Sequence, residues 1–336
     1  MWRSVSLLVS CGVLACGSAR AEDRAADIAV AVPRAVGYLE RVSLAWKDRV
    51  GCASCHHVPM AVWASAEAER KGMVVDTVAR GLMRSFILQE DNASGLLPTA
   101  NPPPERDGAQ LGGVYALLAL GAGPRDWAGE PNAVHIRNHF LKLQLPDGAW
   151  PPFPSAGRSP IFEPGGVSAR MVLLGLGALA EAREDSELST ALQKGYTALG
   201  GLPDGASHQM QVLQLLMDLR FGGAPEKVGS QLEALLAMQR PEGSWAQTPD
   251  MIGDAFATGQ TLYALGKAGL QLGDARVDRG VDVLLRTQRG AGDWRMESRS
   301  TPGGPDASNL EPIEAAATGW AVLGMLAVSG LPEASP

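Results

Sequence analysis

The sequence predicts an all-α fold, a closed α/α toroid of six helix pairs, and three observations support this prediction. Three segments share one pattern, QLPDGAW, QRPEGSW and QRGAGDW, beginning at Gln144, Gln239 and Gln288. The apolar residues before the last two copies keep the same spacing. The segments after the copies include stretches such as DAFATGQTLYALGKAGL, which is apolar on nearly every side and therefore typical of a buried helix. Self-similarity of this kind predicts a repeat architecture.

The apolar residues before the second and third copies are in register. Those of the second copy are Val228, Leu232, Leu235 and Leu236, and those of the third are Val277, Val281, Leu284 and Leu285. Offsets of four, three and one residue place these side chains on one face of a helix. Each repeat is therefore interpreted as an amphipathic outer helix ending at Gln, a Gly turn, a Trp and then a buried inner helix.

Two weaker copies extend the pattern along the chain. LQEDNASGLLP at 88–98 and LGGLPDGASHQM at 199–210 keep the turn and lack the Trp. The predicted pairs, outer helix first, are 27–42 with 58–71, 74–89 with 108–120, 131–144 with 165–182, 187–199 with 207–219, 225–239 with 254–270, and 275–288 with 312–328. We expect a closed ring, because an open solenoid would require polar capping repeats that are not found in the sequence.

The N-terminus carries the features of an export signal. Arg3 precedes an apolar run that reaches Ala19-Arg20-Ala21, a small-x-small pattern. We interpret residues 1–21 as a signal peptide and residues 22–336 as a single toroid domain in the periplasm or outside the cell. An alternative ends the signal at VLAC and anchors the chain through a lipid on Cys16.

Composition narrows the class of protein. Hydrophobic residues make up 46% of the chain and charged residues 19%, which suits a globular domain with a large core. The net charge of −7, without a run of Lys or Arg, argues against a nucleic-acid partner. No apolar run after Glu22 approaches the roughly 20 residues of a transmembrane helix.

The repeats resemble the QW motifs of the squalene-hopene cyclase and prenyltransferase superfamily, and the resemblance covers essentially the whole mature chain. In that family these motifs brace helix ends, tying an outer helix to the next turn. The resemblance therefore implies a structural role for Gln144, Trp150, Gln239, Trp245, Gln288 and Trp294.

The catalytic residues of that superfamily do not match this sequence. The D-x-D-D motif of class II terpene cyclases is missing, and aromatic residues, at 5%, look too few for a cavity that stabilises carbocations. Prenyltransferases hold zinc with ligands from separate helices, whereas both mature cysteines lie together here. GCASC, at 51–55, is similar in position to the GCGEQ of complement-like thioester domains, but Cys55 replaces the Gln that would form the bond. We therefore expect no cyclase activity.

The strongest chemical signal is CASCH, the segment 52–56. In an exported protein, Cys-x-x-Cys-His is the attachment signature of a c-type haem: Cys52 and Cys55 form thioethers, and His56 binds the iron. Two alternatives stay open. One is a Cys52–Cys55 disulfide or dithiol at a helix N-terminus, and the other is zinc or another metal bound by these residues and nearby histidines.

The other four histidines are also candidate metal ligands. His57 follows the segment directly, while His135 and His139 lie four apart on an outer helix whose face is expected to be solvated. His208 begins the fourth inner helix, opposite the first in a six-membered ring, and is proposed as the second axial iron ligand. The alternative is that His208 only caps its helix or contacts solvent. Polar residues near the starts of inner helices should surround one mouth of the ring: Asp107, Gln110, Glu163, Ser168, His208, Gln209, Asp254, Thr258, Glu311 and Glu314.

Taken together, the sequence predicts an exported toroid with one covalent haem c. We expect electron transfer with a redox partner protein, or haem-dependent chemistry on an apolar small molecule. The alternative is a non-catalytic binding or scaffold module with a structural or redox Cys-x-x-Cys.

Overall fold

A computed structural model describes most of the chain. It covers residues 5–50, 57–89, 108–122, 129–150, 161, 163, 166–182, 184–296, 299 and 310–334, with the backbone alone at 5–19, 108–112, 182 and 312. These residues form twelve α-helices and no strand. The structure is all-α, as predicted.

The helices follow one another in the predicted order. They are α1 (Val5–Val50), α2 (His57–Arg70), α3 (Thr77–Ile87), α4 (Gly108–Ala122), α5 (Pro131–Lys142), α6 (Val167–Ala182), α7 (Ser186–Leu199), α8 (His208–Phe221), α9 (Pro225–Ala237), α10 (Ala255–Lys267), α11 (Ala275–Thr287) and α12 (Glu311–Val328). All six predicted pairs are present. The first outer helix is longer than the predicted 27–42 and continues through position 22, while the cleavage site itself stays a prediction.

The even-numbered helices form a closed inner ring. Each contacts the next, from α2 to α4, α6, α8, α10 and α12, and α12 returns to α2. The odd-numbered helices pack outside, and α1 contacts both α11 and α12, so the first and last pairs join. This closure confirms the α/α toroid. It also places α8 opposite α2, as the sequence predicts.

Inner helices are buried almost completely, which explains why their sequences lack a polar face. In α10, ten residues from Ala255 to Leu265 are buried, including Thr258, Gln260 and Thr261. Small residues allow α10 and α12 to approach closely, because a Cβ on Gly259 would lie 2.4 Å from the Trp320 carbonyl. None of the described helices is both long and apolar enough to cross a bilayer.

The three glutamines of the QW motifs join neighbouring outer helices in the same way. The amide nitrogen of Gln144 donates to the Gly148 carbonyl at 2.9 Å and to the Ala191 carbonyl of α7 at 2.7 Å. Gln239 makes the matching bonds to Gly243 and to Arg276 of α11, and Gln288 to Gly292 and to Ala31 of α1. The third copy therefore closes the ring between its last and first pairs.

The tryptophans complete each brace. The indole nitrogens of Trp150, Trp245 and Trp294 donate to the carbonyls ten residues earlier, at 2.7, 2.7 and 2.8 Å. Each ring is buried, so the bond ties the end of an outer helix to the turn that follows it. These contacts agree with the structural role that the resemblance implies for the motif.

Where the repeat lacks Gln and Trp, Asp218 on α8 connects the outer helices instead. Its fully buried carboxylate accepts from the Tyr196 hydroxyl of α7 at 2.6 Å. It also accepts from Lys227 at 2.9 Å and Gln231 at 2.7 Å, both on α9. Gln214 completes the set at 3.0 Å. The Asp218 carboxylate of the inner helix α8 thus connects α7 and α9, where the Gln and Trp contacts of the QW motif are missing.

Candidate functional site

The CASCH segment lies outside the described residues, so the structure says nothing of Cys52, Cys55 or His56. Its flanks are fixed: α1 ends at Val50 and α2 begins at His57. Since every inner helix follows an outer helix, all six inner helices begin at the same end of the ring. We call this end the N-terminal mouth. The predicted iron ligand His208 begins its helix at the same mouth.

His57 is firmly placed beside the predicted attachment segment. Its ring is fully buried and stacks on Trp46 of α1, with centroids 4.7 Å apart and an interplanar angle of 19°. Its backbone carbonyl accepts from the Ser43 hydroxyl at 3.3 Å. These contacts hold the start of α2 against α1, directly after position 56.

His208 is buried and neutral, and Ser207 caps α8 in its place, with its hydroxyl accepting from Met210 N. The Nε2 atom of His208 lies 2.8 Å from the Thr261 hydroxyl oxygen. That hydroxyl also lies 2.9 Å from the Ala257 carbonyl, and when it donates there it accepts from Nε2–H of His208. The pKa of His208 is lowered to about 4, first by burial and then by the charge of Arg299.

This arrangement bears on the predicted second iron ligand. Nε2 is the ring nitrogen of His208 that faces the Thr261 hydroxyl, whichever of the two carries the proton. Iron binding at Nε2 would therefore require the bond to Thr261 to break. Both alternatives in the sequence analysis fail, since His208 neither provides the helix cap nor is exposed. Ligation by His208 stays a prediction.

A chain of polar contacts crosses the N-terminal mouth. Arg299 donates to Glu163 at 3.0 Å and to the Gln247 side-chain oxygen at 2.9 Å. Gln247 in turn donates to the carboxylate of Asp254, which also caps α10 by accepting from Ala257 N at 2.8 Å. Burial raises the pKa of Asp254 to about 6, although these hydrogen bonds and the charge of Arg299 act to lower it. Arg299 and Gln247 were not predicted for this site, because both lie in loops without a motif.

Several other residues predicted at this mouth have structural partners. Thr258 accepts from Trp245 N at 3.0 Å, Glu311 lies 3.5 Å from Arg49, and Glu314 pairs with Arg289 at 2.7 Å. Ser168 and Gln209 are buried. Asp107 lies outside the described residues, and Gln110 is described by its backbone alone. The ring of polar residues is therefore confirmed in part, with many of its members bracing helix ends.

His135 and His139 do not share a metal site with other ligands. Within the described chain, no group of three or more His, Cys, Asp or Glu side chains could hold an ion. His135 is exposed, as expected, but His139 is half-buried beside Phe140. Burial, assisted by His135 and Lys142, lowers the pKa of His139 to about 4.

A cavity of about 520 Å³ opens at the other end of the ring, between the C-terminal halves of the inner helices. We call it the C-terminal cavity. Three aromatic rings in its wall contact one another edge to face: Trp63 and Trp320 at 5.3 Å, Trp63 and Tyr263 at 5.7 Å, and Tyr263 and Trp320 at 5.8 Å. The expectation that aromatic residues are too few for a cavity that stabilises carbocations stays a prediction. Their convergence is invisible in sequence, because each comes from a different helix.

Comparison with known proteins agrees with this architecture. Residues 175–335 match the squalene-hopene cyclase C-terminal domain. This part of the chain is similar to a squalene-hopene cyclase. It includes the second and third QW copies, whereas the first copy at Gln144 lies before it. No curated protein matches the chain by sequence.

Solved structures share the fold at low sequence identity. A type II terpene cyclase, MstE from Scytonema, in complex with its substrate geranylgeranyl dihydroxybenzoate, has a TM-score of 0.59 and 12% identity. The similarity covers 92% of this chain and 99% of that one. A glycosidase has a TM-score of 0.57 and 11% identity, covering 90% and 98%. The cyclase-like toroid is therefore a fold shared by proteins of different activity.

Proposed function

We propose that this cyclase-like toroid is an exported haem c protein. Cys52 and Cys55 attach the haem, and His56 binds its iron at the N-terminal mouth. The observation that carries the proposal is the position of Cys-x-x-Cys-His, immediately before an inner helix whose first residue is anchored on α1. The haem would serve electron transfer with a redox partner protein, or haem-dependent chemistry on an apolar ligand.

The side chains of Cys52, Cys55 and His56 fit a covalently attached haem. Two thiols separated by two residues match the paired vinyl groups of a haem, and the adjacent imidazole supplies the iron ligand. Cys52 and Cys55 would hold the haem through thioethers, and their formation would need no oxidant, since each thiol hydrogen would pass to a vinyl carbon. Burial of His57 against Trp46 fixes the chain directly after the proximal ligand.

When bound, a haem would supply a one-electron iron centre. The chain would supply its surroundings. The Glu163, Arg299, Gln247 and Asp254 contacts provide charged and polar groups at the same mouth. Buried Arg and carboxylate groups near a cofactor influence its potential through their fixed charges.

The experiment is co-expression of the full chain with a cytochrome c maturation system, followed by a pyridine haemochrome spectrum and a denaturing gel stained for haem. We expect covalent haem in the wild-type protein, and its reduction or loss in Cys52→Ala and Cys55→Ala at unchanged helix content. Cys16→Ser is the matched control, and haem attachment should be unchanged in it. A wild-type protein without a Soret band would refute the proposal and favour the dithiol interpretation.

The second axial ligand is tested in the same protein. If His208 binds the iron, His208→Ala should convert a six-coordinate, low-spin spectrum into a high-spin one, while Thr261→Val should not. An unchanged spectrum in His208→Ala would exclude this ligand.

The absence of cyclase activity is part of the proposal. The sequence lacks the D-x-D-D acid that protonates the alkene in class II cyclases. We expect no cyclic product from squalene or oxidosqualene. Product above that of a heat-killed control would show that the toroid retains a cyclase acid elsewhere.

A further inference from the structure

The C-terminal cavity is separate from the predicted haem site. Most of its lining residues come from the second halves of the inner helices, such as Glu67 and Arg70 of α2 and Lys267 at the end of α10. The CASCH segment precedes the first turn of α2, at the opposite end of that helix. A cavity of this volume falls within the range of small-molecule sites, about 300–1,000 Å³.

The inner wall of the cavity is apolar. Besides the three aromatic rings, it is lined by Leu118, Ala122, Met171, Leu174, Ala178, Leu213, Leu216 and Leu219. Most of these side chains belong to the buried core. A ligand body that fills this space must itself be apolar, because a polar body would lose its water without gaining partners.

Two donors in the wall lack an acceptor among the described residues. The Trp320 side chain is 2% exposed, and its Nε1 has no hydrogen-bond partner. The Lys267 ammonium lies 5.2 Å from the centre of the Tyr263 ring and has no carboxylate within ion-pair distance in the described chain. The Trp320 nitrogen is buried, whereas Lys267 is exposed at the rim of the cavity, where an anionic group of a ligand can form a charge-assisted contact with its ammonium.

The other charged groups at the cavity are largely paired. Glu67 accepts from Trp63 Nε1 at 3.3 Å and pairs with Arg70, while Glu181 pairs with Arg220 at 2.6 Å. Among the acids of the lining, Glu333 is left, exposed on the C-terminal segment. That segment is held across the cavity mouth, where Ala334 N donates to the Arg70 carbonyl at 2.6 Å. Among the described lining residues, Lys267 is thus the cation without an ion-pair partner.

We propose that the C-terminal cavity binds an amphiphilic monocarboxylate, with its apolar chain against Trp63 and the aliphatic side chains of the wall and its acidic head at Lys267. The carboxylate gives the exposed Lys267 ammonium an anionic partner, which none of the described residues supplies. The ring face of Trp63 and the aliphatic side chains bury the chain. This site does not depend on the haem.

The test is calorimetric titration of the full chain with dodecanoate and with dodecanol, which share a chain and differ in the charged head. Dodecanoate should bind more tightly than dodecanol. Lys267→Gln should weaken dodecanoate binding about threefold, the effect of losing one exposed ion pair, and leave dodecanol unchanged. Lys142→Gln, an exposed lysine on α5, is the matched control and should change neither affinity.

Glu333→Gln gives a second test with the opposite sign. Removing this carboxylate from the mouth should strengthen dodecanoate binding severalfold, since like charges repel. The titrations are repeated in Cys52→Ala/Cys55→Ala, so that loss of haem and loss of the ligand are distinguished. Equal affinity for acid and alcohol, an effect of Lys142→Gln as large as that of Lys267→Gln, or no binding to the wild type would each overturn the proposal.

Discussion

Gly243→Ala tests whether the QW turns hold neighbouring outer helices at close approach. Gly243 lies in the turn after α9, with φ of 102°. A Cβ there would lie 2.7 Å from the Arg279 carbonyl oxygen of α11, closer than real Cβ contacts. The first and third copies repeat this approach, at Gly148 against Lys194 and at Gly292 against Arg34.

Gly273→Ala is the matched control, because Gly273 has the same φ of 102° and no atom within 4 Å of its Cβ position. Both variants carry the backbone strain of a side chain at positive φ, about 1–3 kcal/mol. In Gly243→Ala, the turn must also move away from α11. This displaces the bonds of Gln239 to Gly243 and Arg276, each worth about 1 kcal/mol. We expect a loss of about 3–5 kcal/mol for Gly243→Ala and about 1–3 kcal/mol for the control.

The assay is urea unfolding followed by far-UV circular dichroism, with the free energy of unfolding compared at equal slope. Gln239→Ala in the Gly243→Ala background should add little, since the glutamine bonds would already be displaced. Equal losses in Gly243→Ala and Gly273→Ala would refute the close-approach argument and leave backbone strain as the whole effect.

Two further predictions concern titrating groups, both measured by unfolding as a function of pH. Burial raises the pKa of Asp218, but the hydrogen bonds from Tyr196 and its other donors outweigh it and lower the pKa below the usual 3.8. The stabilisation of the fold by ionised Asp218 should therefore be complete above pH 3.8, and it should be lost as the pH falls through the pKa of Asp218 in the folded protein. Asp218→Asn should lower the free energy of unfolding by about 2–4 kcal/mol at neutral pH and by less in acid. For His139, whose pKa falls from 6.5 to about 4 on burial, stability should decrease as the pH falls from 6.5 to 4, by about 3 kcal/mol at most. His139→Gln should remove this decrease, whereas His135→Gln at the exposed position should reduce it only slightly, because burial is the main cause of the lowered pKa. The same slope in all three proteins would contradict the burial argument.

The helices and their order could be predicted from sequence because their signals are local. Asp76, Asp185, Asp254 and Asp274 each cap the helix that follows by accepting backbone N–H bonds. The apolar stripe of α11 and the all-round apolar character of α10 distinguish outer from inner helices. Only the ends differ, with α1 the largest difference, since it extends beyond the predicted 27–42 at both ends.

The candidate site was predicted less completely. Asp254 and His208 were expected at the N-terminal mouth and are found there, because an inner-helix start can be recognised from its cap. Their partners were not predicted. Thr261 lies one turn beyond Thr258 on the same helix, and Arg299 reaches the mouth from a loop after the third QW turn. Neither position has a spacing that marks it.

The sequence by itself determined the repeat, the alternation of outer and inner helices, and the braces that close the ring. Each of these depends on residues within one turn or one repeat of each other, where helical periodicity fixes which side chains meet. Tertiary structure alone decided the Asp218 cluster and the C-terminal cavity. Trp63, Tyr263 and Trp320 meet only because α2, α10 and α12 are neighbours in a closed ring. Contacts between such distant parts of a chain depend on how helices pack, and packing leaves no periodic trace in the sequence.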